Sequence, residues 1–184
     1  MRKNPNDMQR ERHILCKKRY KGLRRVVCAI LCILLPVFCA GCGSPSENPM
    51  AGIYYDDEKL ASNYSSYSME DAEQVIDGRS MTGTFRGLNG MVMFWTCEPD
   101  EDTVADIRYL LRVTGGKVKL IFVDGKNRIE TLAELTKHTQ MEEAETVTLS
   151  VRDGYNRLKL VGTEDAVVSF EISASKSSFI SVRD

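Results

Sequence analysis

From Gln74 onward, apolar and polar residues alternate with period 2, and the alternation is interrupted only by short segments bearing Gly, Asp or Asn. This pattern restricts the chain to antiparallel β-structure with one wet and one dry face per strand. Residues 167–174 show it most cleanly. Val168, Phe170 and Ile172 fall on one face, and Ser169, Glu171 and Ser173 on the other. A helix would scatter these residues around its circumference, whereas a strand separates them completely.

Turn chemistry then suggests three hairpins. Residues 105–113 run into Gly115-Gly116 and return over 117–124, which would pair Val113 with Val118, Leu111 with Leu120 and Tyr109 with Phe122. A two-residue loop and the apolar pattern select the same register. A second turn, Asp124-Gly125-Lys126-Asn127, leads into 128–132. The third turns on Asp153-Gly154, placing Leu149/Leu158 and Val147/Leu160 inward and Ser150/Arg157 and Thr148/Lys159 outward. Upstream, 81–86 and 91–97 form two further strands around 87–90, the second apolar enough to be covered on both sides. Only 132–145 has helical character, as a short helix or a crossover loop. Seven or eight short strands with turns every 8–12 residues predict an all-β, small antiparallel two-sheet sandwich, jelly-roll or immunoglobulin-like, over residues 69–184.

Charge divides the chain. Residues 1–41 hold ten Lys/Arg against Asp7 and Glu11, a net +8, and the remainder holds 15 basic against 24 acidic residues, a net −9. An acidic body lacks the basic footprint that nucleic-acid binding requires. The basic stretch ends at Arg24-Arg25, a 13-residue apolar run covers 26–38, and small residues lead to Cys42. At ~1.5 Å per residue that run covers ~20 Å, short of a ~30 Å hydrocarbon core, and the order is that of a secretory signal.

Cys39-Ala40-Gly41-Cys42 resembles the lipobox of bacterial lipoproteins, with Cys39 where that family usually carries Leu. The resemblance implies cleavage between Gly41 and Cys42, diacylglycerol on the Cys42 sulfur and an N-acyl group on the new amine. It also implies an acidic body held on the extracytoplasmic face of the cell membrane, where several acyl chains make a durable anchor. An uncleaved anchor is the competing reading, and the positive-inside rule gives it the same topology. Cys16, Cys28, Cys32 and Cys39 would leave with the signal and Cys42 would carry lipid. Cys97 is then left without a disulfide partner.

Residues 42–68, rich in Ser, Pro, Asn and Gly, read as a flexible tether. Its tyrosines, Tyr54, Tyr55, Tyr64 and Tyr67, suit either a ligand-contacting strip or, the favoured reading, a wrap against the domain. Gly154-Tyr155-Asn156-Arg157-Leu158-Lys159-Leu160-Val161-Gly162 resembles the closing hairpin of galactose-binding-like and carbohydrate-binding jelly rolls, which implies a fold neighbourhood and no sugar-contacting residue.

No nucleophile elbow, Ser-x-x-Lys, phosphate loop or His-Glu-x-x-His stands in the chain. Trp95 and Cys97 lie in the apolar run and read as core. Glu98, Asp100 and Asp102 alternate in an acidic loop that offers hard oxygens to calcium, with a solvated turn as the preferred reading. The expected hairpin sets Arg112 against Lys119, with Arg108 beyond. These residues are the candidate partner face, because like charges directly opposed are mildly destabilising. Glu171 crossing from a neighbouring strand is the alternative. The expected function is a lipid-anchored, extracytoplasmic binding module for a glycan, peptide or envelope component, and not an enzyme. A structural or regulatory envelope lipoprotein with a protein partner is the alternative, and a two-carboxylate hydrolase the weaker one.

Overall fold

The computed structural model describes residues 48–182, so the expected signal segment, with Gly41 and Cys42, lies outside the described residues. A 3-10 turn (Ala51–Tyr55) and a one-turn helix α1 (Asp57–Leu60) precede eight strands: β1 (Ser66–Ser68), β2 (Asp71–Asp77), β3 (Ser80–Cys97), β4 (Thr103–Val123), β5 (Ile129–Thr136), β6 (Glu145–Val151), β7 (Asn156–Ala174) and β8 (Ser178–Phe179). All pairings between strands are antiparallel. The all-β sandwich read from the alternation is what the chain forms.

Its construction differs from a stack of hairpins. Three strands, β3, β4 and β7, are 18, 21 and 19 residues long, and each serves both layers. In layer A, the first half of β3 and of β4 flank the second half of β7, with β2 and β6 outside them. In layer B, the second half of β3 and of β4 flank the first half of β7, with β1, β8 and β5 at the margins. One core joins the layers, with Phe85, Leu111, Val168 and Phe170 from A meeting Val92, Leu120, Leu158 and Leu160 from B. The Tyr109 hydroxyl of β4 donates 3.0 Å to the Leu132 carbonyl of β5 across the two layers.

The strands cross between layers along a seam of left-handed backbone. It contains Gly87 and Gly90 on β3, Gly116 on β4, and Glu164 and Asp165 on β7, all with positive φ. Register shifts coincide with it on both partners of β7. A residue in the left-handed region makes a bulge that bends a strand and strengthens its twist. Asp165 holds this conformation through Asn89, whose Nδ2 donates to Asp165 Oδ1 at 2.6 Å while its Oδ1 accepts from Asp165 N at 3.2 Å.

Several sequence expectations are corrected by this layout. Gly115-Gly116 is a bulge inside β4 and not a hairpin turn, so Arg112 is paired with Ser169, and Lys119 with Val161 and Glu134. The hairpin on Asp153-Gly154 is also absent, because β6 pairs with β4 while β7 pairs with β3 and β4. Residues 81–86 and 91–97 are halves of one strand. The stretch with helical character is strand β5 followed by a turn. The turn at Asp124 stands as expected: its carboxylate accepts from the amides of Lys126 and Arg128, each at 2.9 Å, and Asn127 takes positive φ.

The expected tether is corrected from residue 48 onward. Ile53, Tyr54 and Leu60 are buried against Met91, Ile121, Val123 and Val161 on the outer face of layer B, so residues 48–64 form a strap across that face. The wrap reading of the tyrosine-bearing stretch describes Tyr54 well, while Tyr55 and Tyr64 stay exposed.

A Cβ on Gly116 would stand 2.4 Å from the Thr163 carbonyl oxygen, at φ +65°. Gly116→Ala is therefore expected to lower stability by ~2–4 kcal/mol, read from urea denaturation followed by fluorescence of the single tryptophan, Trp95. A change within ~0.5 kcal/mol, the range of a neutral surface substitution, would show that the seam tolerates an ordinary residue.

Candidate functional site

The sandwich has two outer faces, and the strap leaves only that of layer A open. Period 2 sends Thr82 and Thr84 of β3, Ser169 and Glu171 of β7, and Leu110 and Arg112 of β4 to this face. Cross-strand register gathers them into two rows. Thr82 and Leu110 flank Glu171 in the first row, and Thr84 and Arg112 flank Ser169 in the second. On β2, Val75 extends the first row and Glu73 the second. The rows line a groove of about 410 Å³, with Gly83 and Phe170 in its floor.

The glycine in the floor has a packing reason. A Cβ on Gly83 would lie 2.8 Å from the Phe170 ring and 2.3 Å from the Glu73 carbonyl oxygen. Phe170 packs beneath it against Phe85 at 4.8 Å between centroids, and is only 4% exposed. The groove thus has a rigid aromatic underside and a polar surface. No aromatic ring is offered to a ligand there.

The hydroxyls of Thr84 and Ser169 lie 3.1 Å apart and bond to each other. The side chains of Arg112 and Glu171 form no ion pair among the described residues. A guanidinium fork, a carboxylate and three hydroxyls therefore line one groove of about 410 Å³, with Leu110 as the apolar element. Together they can donate and accept several hydrogen bonds at once and seat one small hydrocarbon face.

The candidate partner face is divided. Arg108, opposite Ser173 and Thr146, lies on the open face with Arg112. Lys119 is on the strap side, its ammonium 4.5 Å from the centre of the Tyr54 ring. The like-charge opposition expected for Arg112 and Lys119 is absent because β4 crosses the seam between them. Glu171 does reach the Arg112 region from the neighbouring strand, where it sits opposite Leu110.

In the acidic loop, Asp102 binds protein rather than standing free. Its carboxylate accepts from the Asp153 amide at 2.9 Å and from Arg152 Nη1 at 2.6 Å, and these bonds, the amide foremost, hold it below the ordinary carboxylate range. Among the described residues, no group of three or more His, Cys, Asp or Glu is placed to hold a metal ion, so Glu98, Asp100 and Asp102 make no preformed calcium cluster. Trp95 is fully buried and donates its indole N–H to the Lys176 carbonyl at 3.1 Å. Cys97 is a free, half-buried thiol at the end of β3.

No protein-family model matches the chain, and no curated protein matches it. Among solved structures, the chain is similar to a Bacillus endospore appendage pilus protein (15% identity, TM-score 0.36, covering 65% of this chain and 100% of that one). It is also similar to a mutant family 29 carbohydrate binding module complexed with mannohexaose (14% identity, TM-score 0.35, covering 62% and 84%). A third likeness is to the capsular polysaccharide assembling protein CapF of Staphylococcus aureus (12% identity, TM-score 0.29, covering 67% and 33%). No residue assignment is carried over from these.

The groove side chains contribute little to folding. Arg112→Ala and Glu171→Ala are each expected to leave stability within ~0.5 kcal/mol of the parent, as exposed residues without partners do. Asn156 is the contrast. Fully buried, it donates to the carbonyls of Cys97, Arg152 and Gly154 and accepts from the amides of Gly125 and Arg152. Asn156→Ala is expected to cost ~2–4 kcal/mol, because it strands several buried main-chain groups. Parallel denaturation curves check both statements.

Proposed function

We propose that this protein is a lipid-anchored, extracytoplasmic binding module that takes a glycan of the cell envelope in the open groove of layer A. One observation carries the reading. Of two outer sheet faces, one is sealed by residues 48–64, and the other presents Thr82, Thr84, Ser169, Glu171 and Arg112 around a groove. A glycan is a dense array of hydroxyls that both donate and accept, and a surface of hydroxyls, one carboxylate and one guanidinium satisfies it without desolvating an apolar site. Leu110 supplies contact for a sugar C–H face. Recognition then rests on hydrogen bonds and not on ring stacking.

Binding is preferred to turnover because the groove lining holds one carboxylate, Glu171, while Glu73 of β2, on the same face, stands outside that lining beyond Thr84. Hydrolysis of a glycosidic bond by the two-carboxylate route needs a second one across the scissile bond. The anchor belongs to the same proposal. Cys42 carries diacylglycerol and the acidic body stands outside the membrane, as the resemblance of residues 39–42 to a lipobox implies.

Two experiments test these parts separately. The full-length protein, expressed in a bacterium and purified in detergent, is applied to a glycan array, and the best ligand is titrated calorimetrically. Arg112→Ala with Glu171→Ala is expected to weaken binding at least ~10-fold, as loss of two charge-assisted ligand hydrogen bonds would do. Binding that survives this pair unchanged would remove the groove from the reading, and a blank array would remove the glycan. For the anchor, Cys42→Ala is expected to abolish incorporation of radiolabelled palmitate and to release the body from washed membranes. Full membrane retention without label would point to an uncleaved span instead.

A further inference from the structure

The strap lies on two buried cations. Lys159 and Arg157 of β7 are both at 0% exposure on the outer face of layer B, and neither forms an ion pair with a carboxylate among the described residues. The Lys159 ammonium donates to the carbonyls of Leu60 at 2.9 Å and Ser62 at 2.6 Å, with Tyr64 at 3.4 Å. The Arg157 guanidinium donates to the carbonyls of Ser62 at 2.8 Å and of Ala61. It also reaches its own strand at the Tyr155 carbonyl, and Asn127 Oδ1 at 2.9 Å. The carbonyls of residues 60–62 are those a helix leaves unpaired at its C-terminal end, where the peptide dipoles favour a cation. The strap is thus gripped by its main chain.

This arrangement is expensive for the protein to maintain. A buried charge that meets only neutral dipoles recovers part of its lost hydration and not all of it. Around Lys159 stand Arg157 on its own strand, Ile121 of β4, and Met91 and Met93 of β3. On the strap, the acids of α1 face away from it: Asp57 and Glu58 are exposed, and Asp56 pairs with Lys59 at 3.1 Å. Tyr54 is bonded to Glu134 and lies under Lys119. Near Arg157 stand the Tyr155 ring and, on the turn that also supplies Asn127, the Asp124 carboxylate, whose charge favours the guanidinium but which is ion-paired with Arg128 at 2.6 Å. Among the described residues no carboxylate forms an ion pair with either cation.

We propose that residues 48–64 are a detachable strap, which lifts off layer B as a unit while the sandwich stays folded, because docking it requires burying Lys159 and Arg157 against main-chain carbonyls with no ion-pair partner for either. The sandwich itself is held by the continuous core of β3, β4 and β7, which the strap does not enter. The strap's own apolar contacts belong to a separate, smaller cluster. Lifting it hydrates both cations and exposes a second sheet face of Met91, Ile121, Val123 and Val161.

Protonation gives the device a signature. Burial, helped by the neighbouring Arg157, lowers the Lys159 ammonium to about 8, from an ordinary 10.5 that it regains once the strap lifts. The docked state therefore binds fewer protons than the open state between about pH 8 and 10.5. In that window docking tightens as pH rises, and below pH 8 it sits at its weaker plateau.

The test is native-state hydrogen exchange on the full-length protein in detergent, corrected for intrinsic rates. It reads the amides of Asp56, Leu60, Ala61 and Ser62, which are bonded within the strap, against those of β4 and β7. Strap amides are expected to exchange through their own opening, at least ~10-fold faster than the strands. Their protection should rise by up to ~10-fold per pH unit between pH 8 and 10, the limit for release of one proton. Lys159→Met removes that rise whichever way it moves the baseline. Lys159→Arg, which keeps a charge that does not titrate, removes it as well, so the test survives if the Met variant fails to fold. Strap and strand amides that exchange together would overturn the proposal, as would a pH slope unchanged in the variants.

Discussion

The molecule depends on a bend that three adjacent strands make at the same height. A flat three-stranded sheet of this length would expose both faces to water. Folding it over at Gly87–Gly90, Gly116 and Glu164–Asp165 turns one face inward against itself and makes the core. Both layers therefore share their central strands, and the sandwich cannot separate into two sheets without breaking β3, β4 and β7. The left-handed residues are what allow continuous ladders to bend so sharply. Three of the five are glycines, of which Gly90 and Gly116 stand too close to neighbouring backbone to carry a Cβ, and Asp165 is fixed by the Asn89 amide.

Sharing the central strands has a second consequence. Each long strand shows one run of side chains outward on layer A and another outward on layer B, so a single sequence must write two different surfaces. On β7 the layer A half gives Ser169 and Glu171, which remain in water. The layer B half gives Arg157, Lys159 and Val161, which the strap covers. The asymmetry between an open polar face and a sealed mixed face is thus set along one strand. It is also why the groove and the strap, on opposite outer faces, are built from the same three ladders.

Much of this was legible in the sequence, and the errors share one cause. Period 2 says which face a residue takes and nothing about which strand lies beside it. Val113, Val118, Leu120 and Phe122 point inward whether Gly115-Gly116 is a two-residue turn or a bulge between layers, so the pattern that suggested a hairpin fits the continuous strand equally well. Pairing β6 with β7 through Leu149 and Leu158 failed in the same way. The false helix has a local origin. In β5, Ile129 and Thr131 pair with outward residues of β4, while Ala133 and Leu135 pair with the inward Leu120 and Val118, because a bulge at Leu132 switches the phase. A strand whose apolar residues change face midway imitates helical spacing.

The groove was legible only in part, for a related reason. Arg112 and Glu171 stood out as charges on wet faces, but Thr82, Thr84 and Ser169 carry no signal of their own in an alternating strand. They converge because β3 and β7 pair across 85 residues of sequence. The two cations were placed outward by the pattern, and outward they are. What the pattern did not contain is that a segment with the composition of a tether would return to cover them. Ile53, Tyr54 and Leu60 are the only buried apolar residues of the strap, too few and too irregularly spaced to announce a docked element. A segment bound chiefly through its carbonyls leaves little trace in its own side chains. The trace lies in the residues that bind it, a Lys and an Arg set two apart on a strand, neither of them ion-paired to an acid among the described residues.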